Sequence, residues 1–216
     1  KISGQPTNSS LSLTLATLGT RTIMRDAGAS PVLSFEWSDL GYIPPITGLK
    51  KVDDFLRNDS IWNELLSQFG FNAQFPKSKI VIQTHNNVPA GTGIATSASA
   101  FAALTLAWSA VLAGERADEW IEKYQSGNPK MRRAMAAVSA LGSGSSCRSL
   151  DGPWVEWNPK HGISVIDGGT TEWIDFVLLI ESGPKEVPSS EAHLRVKSSP
   201  HFDGRVARAE KRLIDL

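Results

Sequence analysis

Polar and apolar positions alternate along residues 8–16 (NSSLSLTLA), the period-two pattern of a half-buried strand. Further strands are expected at 20–25, 32–37 and 79–84 (KIVIQT). Between them, 41–48 reads as a loop around Pro44-Pro45. Residues 53–69 carry Phe55, Leu56, Ile61, Trp62, Leu65, Leu66 and Phe69 at helical spacing, with Gly70 as terminator. Ser97 to Ala113 is alanine-rich and apolar nearly all round, which predicts a helix buried on most faces. Helices at 118–125 and 129–141 precede a glycine-serine turn at 142–149, and strands follow near 153–157, 162–166 and 175–182. The stretch 200–216 is amphipathic and helical, with Pro200 at its start. Strands and helices are segregated, so the pattern predicts an α+β fold without regular βαβ alternation.

Composition narrows the chemistry. The 216 residues are 41% hydrophobic and 20% charged, with 22 basic and 22 acidic side chains. That balance gives no electrostatic reason to expect nucleic acid or an anionic membrane as partner. Cys147 is the only cysteine, so no intrachain disulfide is possible, and it reads as a small packed residue rather than a nucleophile. No apolar run has the length of a membrane span and no signal sequence opens the chain, which places the expected location in the cytoplasm. The chain opens on Lys1 and ends at Leu216 within a helical pattern, so both ends read as cuts.

Three stretches have the composition of anion sites. Asn86 to Ala103 (NNVPAGTGIATSASAFAA) leads a strand through a loop of small residues into the buried helix. A helix start offers unpaired N–H groups at the positive end of a dipole, and Gly91 and Gly93 admit close backbone approach. Thr96, Ser97 and Ser99 add hydroxyls. Phosphate binding and an ordinary capped helix are both open readings. The stretch has no lysine for a Walker A loop and lacks the third glycine of a dinucleotide fingerprint. In Gly142 to Ser149 (GSGSSCRS), Ser143, Ser145 and neighbouring amides are candidates for an oxyanion nest, and Arg148 for bidentate pairing with carboxylate or phosphate. A flexible linker is the bland alternative. In Lys185 to His193, Ser189 or Ser190 is placed to cap a helix that could take another phosphate. His85, His161, His193 and His201 show no metal-ligand spacing and read as surface or loop residues.

Three segments in the same order resemble mevalonate diphosphate decarboxylases of the GHMP kinase superfamily. Asn86-Asn87-Val88-Pro89 through Gly93-Ile94-Ala95-Thr96-Ser97-Ala98-Ser99 is similar to the family's ATP loop, including its Ser-Ala-Ser ending. Gly142-Ser143-Gly144-Ser145-Ser146-Cys147-Arg148-Ser149 is similar to the signature Gly-Ser-Gly-Ser-Ala-Cys-Arg-Ser. Asn8-Ser9-Ser10-Leu11-Ser12 resembles the segment after the family's first lysine-rich motif, of which Lys1 would be the last lysine.

The resemblance implies a GHMP kinase fold. Residues 1–170 would form an ATP-binding domain like domain 2 of ribosomal protein S5, and 171–216 the incomplete start of a ferredoxin-like C-terminal domain. It also implies roles. Pro89, Gly91, Gly93, Thr96, Ser97 and Ser99 would hold ATP, with Ser97 or Ser99 near Mg²⁺. Ser143, Ser145, Arg148 and Ser189 would hold mevalonate 5-diphosphate, with Arg148 on the carboxylate that is lost and Lys1 also at the reaction centre. The implied reaction is ATP-dependent decarboxylation to isopentenyl diphosphate in the mevalonate pathway of isoprenoid biosynthesis, by a homodimer. The family's catalytic aspartate lies in an Asp-Ala-Gly-Pro motif that this chain does not contain, so residues 1–216 alone are expected to be inactive. Ala192-His193 stands where the family usually has Gly-Met. A phosphomevalonate decarboxylase, a mevalonate 3-kinase and a non-catalytic metabolite-binding homologue are the alternatives.

Overall fold

The computed structural model describes residues 6–15, 17–30, 32–38, 46–87, 96–169, 174, 187 and 189–214. In chain order the elements are β1 (Ser10–Leu13), β2 (Thr20–Ala29), β3 (Ser34–Ser38), α1 (Ile46–Leu56) and α2 (Asp59–Ser67), followed by β4 (Ser78–Asn86) and α3 (Thr96–Leu112). After them come α4 (Ala117–Gln125), α5 (Pro129–Gly142), β5 (Trp154–Asn158), β6 (Gly162–Ile166), α6 (Ser189–Arg195) and α7 (Arg205–Ile214). The α+β class matches the expectation.

Two three-stranded sheets form, in the orders β1-β5-β6 and β2-β4-β3. The first is antiparallel throughout, with Ser10 opposite Trp157 and Trp157 opposite Ile163. The second is mixed, since β2 runs antiparallel and β3 parallel to β4. A parallel neighbour needs a crossover, and α1 with α2 supplies it between β3 and β4. It is a single parallel connection, compatible with the expected lack of regular βαβ alternation. On β4, buried Ser78, Ile80 and Ile82 alternate with exposed Lys79 and half-buried Val81, so a single face of the strand meets the core.

The predicted helix 53–69 is two helices. Its apolar spacing continues across Asn58, but the Asn58 side chain accepts from the Ile61 N–H and starts α2 there. The first of the two begins at Ile46, inside the stretch read as a loop. Gly70 adopts φ +82° just past α2, where the Phe71 N–H returns to the Leu66 carbonyl at 3.1 Å, so its role as terminator is as expected. Strand β1 is shorter than the alternation at 8–16, and the last helix begins at Arg205, with Pro200 in the turn before it. The predicted strand 175–182 lies outside the described residues.

Helix α3 is the centre of the core, and no residue from Ala98 to Ala113 is exposed. Its buried hydroxyls stay satisfied by bonding one turn back, Thr105 Oγ1 to the Phe101 carbonyl at 2.7 Å and Ser109 Oγ to the Leu106 carbonyl at 3.0 Å. Three fully buried tryptophans each donate their indole N–H. Trp62 reaches the Phe55 carbonyl, Trp108 the Leu56 carbonyl and Trp120 the Ser109 hydroxyl, at 3.0, 2.9 and 3.0 Å. Each such bond contributes about 1 kcal/mol and, more importantly, avoids an unpaired buried donor. No single described helix is long and apolar enough to cross a membrane.

Candidate active site

The glycine-serine stretch is a packed turn rather than a linker. Helix α5 ends at Gly142, and residues Ser146–Ser149 form a 3-10 turn held against α3 and α5. A Cβ on Gly142 would stand 2.0 Å from Phe101 Cδ1, so only glycine lets α5 approach α3 this closely. Fully buried Ser146 donates to the Ser143 carbonyl at 2.6 Å and accepts from Ser139 at 2.7 Å. Cys147 is buried, its thiol directed at the Gly144 carbonyl at 3.4 Å, in keeping with a packing role. Beyond the turn, Tyr124 donates to the Leu150 carbonyl at 2.6 Å and Arg132 pairs with the largely buried Asp151. Burial around Tyr124 pushes its phenol up from the ordinary value, so it stays a hydrogen-bond donor. These anchors fix the backbone on both sides of Arg148.

Part of the turn's backbone is engaged within the turn itself. The N–H groups of Ser143, Ser146 and Arg148 bond the carbonyls of Ser139, Ser143 and Ser145 respectively. What the turn offers is the Arg148 side chain. Its guanidinium donates to Ser10 Oγ at 3.1 Å and lies 5.7 Å from the centre of the Trp157 ring. It faces a cleft of about 360 Å³ that also takes Asn8 from the chain's first segment, Ala192 of α6, and Lys197 and Arg205 beyond it. Among the described residues three cations line this cleft and no carboxylate does, and none of the three forms an ion pair with a described residue. Helix α7 closes one side, where Arg205 reaches Thr7 and Asn8 and Glu210 accepts from the Ser9 N–H at 2.6 Å.

The structure thus brings Asn8, Ser10 and Arg148 together with the helix that starts at Ser189. Ala192, one turn on from Ser189, lines the cleft. Ser143 and Ser145 are half-buried in the turn and do not line it. Thr96, Ser97 and Ser99 fall in the first turn of α3, with Ser97 exposed and Ser99 half-buried. Pro89, Gly91, Gly93 and Lys1 lie outside the described residues. Among the described residues no group of three or more His, Cys, Asp or Glu is placed to hold a metal. Oxygen is nevertheless the ligand Mg²⁺ takes, so the neutral hydroxyls of Ser97 and Ser99 fit an ion that arrives bound to phosphate. Lys197 and Arg205 were not singled out by their sequence. Their only signal is a pair of basic residues flanking a turn between two helices, which is ordinary surface composition.

The curated diphosphomevalonate decarboxylases of Saccharomyces cerevisiae and Aspergillus fumigatus are 27% and 28% identical to the chain over 93% and 94% of its length. The chain spans about half the length of each, 50% in both cases. Among solved structures it resembles a mevalonate diphosphate decarboxylase from Legionella pneumophila, with TM-score 0.68 and 32% identity over 97% of this chain and 61% of that one. It also resembles MDDEF in complex with MVAPP, AMPPCP and magnesium, with TM-score 0.62 and 25% identity over 97% and 58% of the two chains. The model of the diphosphomevalonate decarboxylase-like N-terminal domain matches residues 2–165. That match covers most of the chain, and the chain therefore belongs to the diphosphomevalonate decarboxylase-like family.

Proposed function

We propose that the intact protein decarboxylates mevalonate 5-diphosphate to isopentenyl diphosphate at the expense of ATP. The observation that carries this reading is Arg148, held by Ser10 and Trp157 at the wall of a cleft whose described lining has three cations and no carboxylate. A carboxylate and a diphosphate at opposite ends of a small molecule complement that charge pattern. The complex of a family neighbour with MVAPP, AMPPCP and magnesium supports the same pair of ligands and the same ion.

In this reading residues 1–170 form the nucleotide domain and 171–216 begin the second domain. The loop containing Pro89, Gly91 and Gly93, with Thr96, Ser97 and Ser99 at the start of α3, holds the ATP phosphates. Ser97 and Ser99 would hold Mg²⁺, which when bound would supply charge neutralisation for the transferring phosphoryl group. Arg148 takes the substrate carboxylate bidentately, helped by Ser10, which orients the guanidinium from behind. Ser189 and Lys1 complete the substrate contacts, and Ser143 and Ser145, set back from the cleft wall, meet the substrate where it leaves the cleft toward the ATP phosphates. Phosphorylation of the tertiary 3-hydroxyl makes it a leaving group, and phosphate departs as the C–C bond to the carboxylate breaks. Arg148 keeps the carboxylate aligned with that bond until CO₂ is free.

Product analysis tests the reading. Incubated with mevalonate 5-diphosphate, ATP and Mg²⁺, the intact protein is expected to yield isopentenyl diphosphate by mass spectrometry. Accumulation of a stable 3-phosphorylated substrate would make it a kinase instead, and recovery of unchanged substrate would leave a binding protein.

A further inference from the structure

The cleft holds more positive charge than one carboxylate requires. Arg148 accounts for the carboxylate in the reading above, and that leaves Lys197 and Arg205. Lys197 lies in the 3-10 turn Val196–Ser198 and is exposed, with no hydrogen bond or ion pair to a described residue. Arg205 is the first residue of α7, where the helix dipole disfavours a cation and favours an anion, and no acidic residue occupies that first turn. Among the described residues its guanidinium bonds only the neutral oxygens of Thr7 and Asn8, each at 3.4 Å, the long end of the hydrogen-bond range. Most of its five N–H donors are therefore available to a ligand. Apolar Trp157, Val196 and Phe202 form the rest of this wall, and their low polarisability strengthens any charge pairing made against them.

Resting on the substrate reading of the cleft, we infer that Lys197 and Arg205 bind the two phosphates of the substrate's diphosphate and set the preference for a diphosphate over a monophosphate. A phosphate monoester carries about −1.5 to −2 at neutral pH, of which one cation offsets roughly half to two-thirds. The second phosphate adds charge and acceptor oxygens that only a second cation can meet. An arginine and a lysine on adjoining turns supply a planar fork and a mobile point charge for the two groups.

Calorimetry on the intact protein tests this, with ADP present to fill the nucleotide site and with inorganic pyrophosphate, mevalonate 5-diphosphate and mevalonate 5-phosphate as probes. Lys197→Met and Arg205→Met are each expected to weaken both diphosphates about ten- to hundredfold, the effect of losing one charge-assisted contact. The monophosphate should lose less, so the ratio of the two affinities falls, while ADP affinity and melting temperature hold. Arg205→Lys is expected to recover part of the loss. Because Lys197 bonds no described residue, its variant is free of a structural role. Unchanged pyrophosphate and diphosphate binding in Lys197→Met overturns the inference, as does a wild-type protein that ignores pyrophosphate. A wild type that binds pyrophosphate through these residues yet makes no isopentenyl diphosphate upholds the phosphate site and removes the decarboxylase reading. Turnover with wild-type KM in both variants does the reverse.

Discussion

Arg148 has its position set by neighbours that do no chemistry. The Ser10 hydroxyl and the Trp157 ring hold the guanidinium, and the Tyr124 and Arg132–Asp151 contacts hold the backbone after it. Arg148→Lys keeps the charge and loses the planar fork. A charge-assisted pair of this kind contributes about 2–3 kcal/mol, so turnover should fall roughly a hundredfold. ATP affinity and melting temperature are expected to stay near wild type in the same preparation. A joint drop in stability and in both affinities would instead make Arg148 a clamp for its turn, and unchanged turnover would remove it from the site. At this scale the sequence was informative where composition was unusual. A glycine-serine run ending in arginine named Arg148 as a candidate, and its likeness to a decarboxylase signature gave it a role. Nothing comparable marked Lys197 or Arg205, because their meaning lies in the cleft they share with a residue far away in the chain.

Among the elements, long periodic segments were legible and junctions were not. Helix α3 is buried on nearly all sides because no stretch of its surface is polar enough to face water, as its alanine-rich sequence implies. The break at Asn58 was missed since the apolar spacing of α1 and α2 stays in phase across it, and the local cap decides the matter. The pairing of β3 beside β4 was not legible either, because a parallel ladder leaves no mark in a five-residue strand. The junction of α5 with the Arg148 turn yields a prediction. Gly142→Ala places a methyl group against Phe101, and overpacking of this order costs about 1–3 kcal/mol. Thermal unfolding should show a lower midpoint. Since Phe101 lies one turn from Ser97 on α3, the displaced ring should also weaken nucleotide binding. A variant with wild-type stability would mean that the two helices separate without cost.

For the whole molecule, the two sheets and the α3–α5 core serve to bring distant segments to one cleft. The chain's beginning supplies Asn8 and Ser10, the turn after α5 and strand β5 supply Arg148 and Trp157, and the segment from α6 to the start of α7 supplies Ala192, Lys197 and Arg205. The charge of the chain is balanced, yet three cations and no acid occur among the described residues that line this cleft, which total composition could not reveal. The central claim is that this cleft holds a carboxylate in order to release it. It is tested most directly by supplying the intact protein with mevalonate 5-diphosphate labelled in its carboxyl carbon, together with ATP and Mg²⁺, and counting labelled CO₂ against ADP. The account predicts one CO₂ for each ADP, with neither formed when ATP is withheld. ADP formed without labelled CO₂ would contradict it.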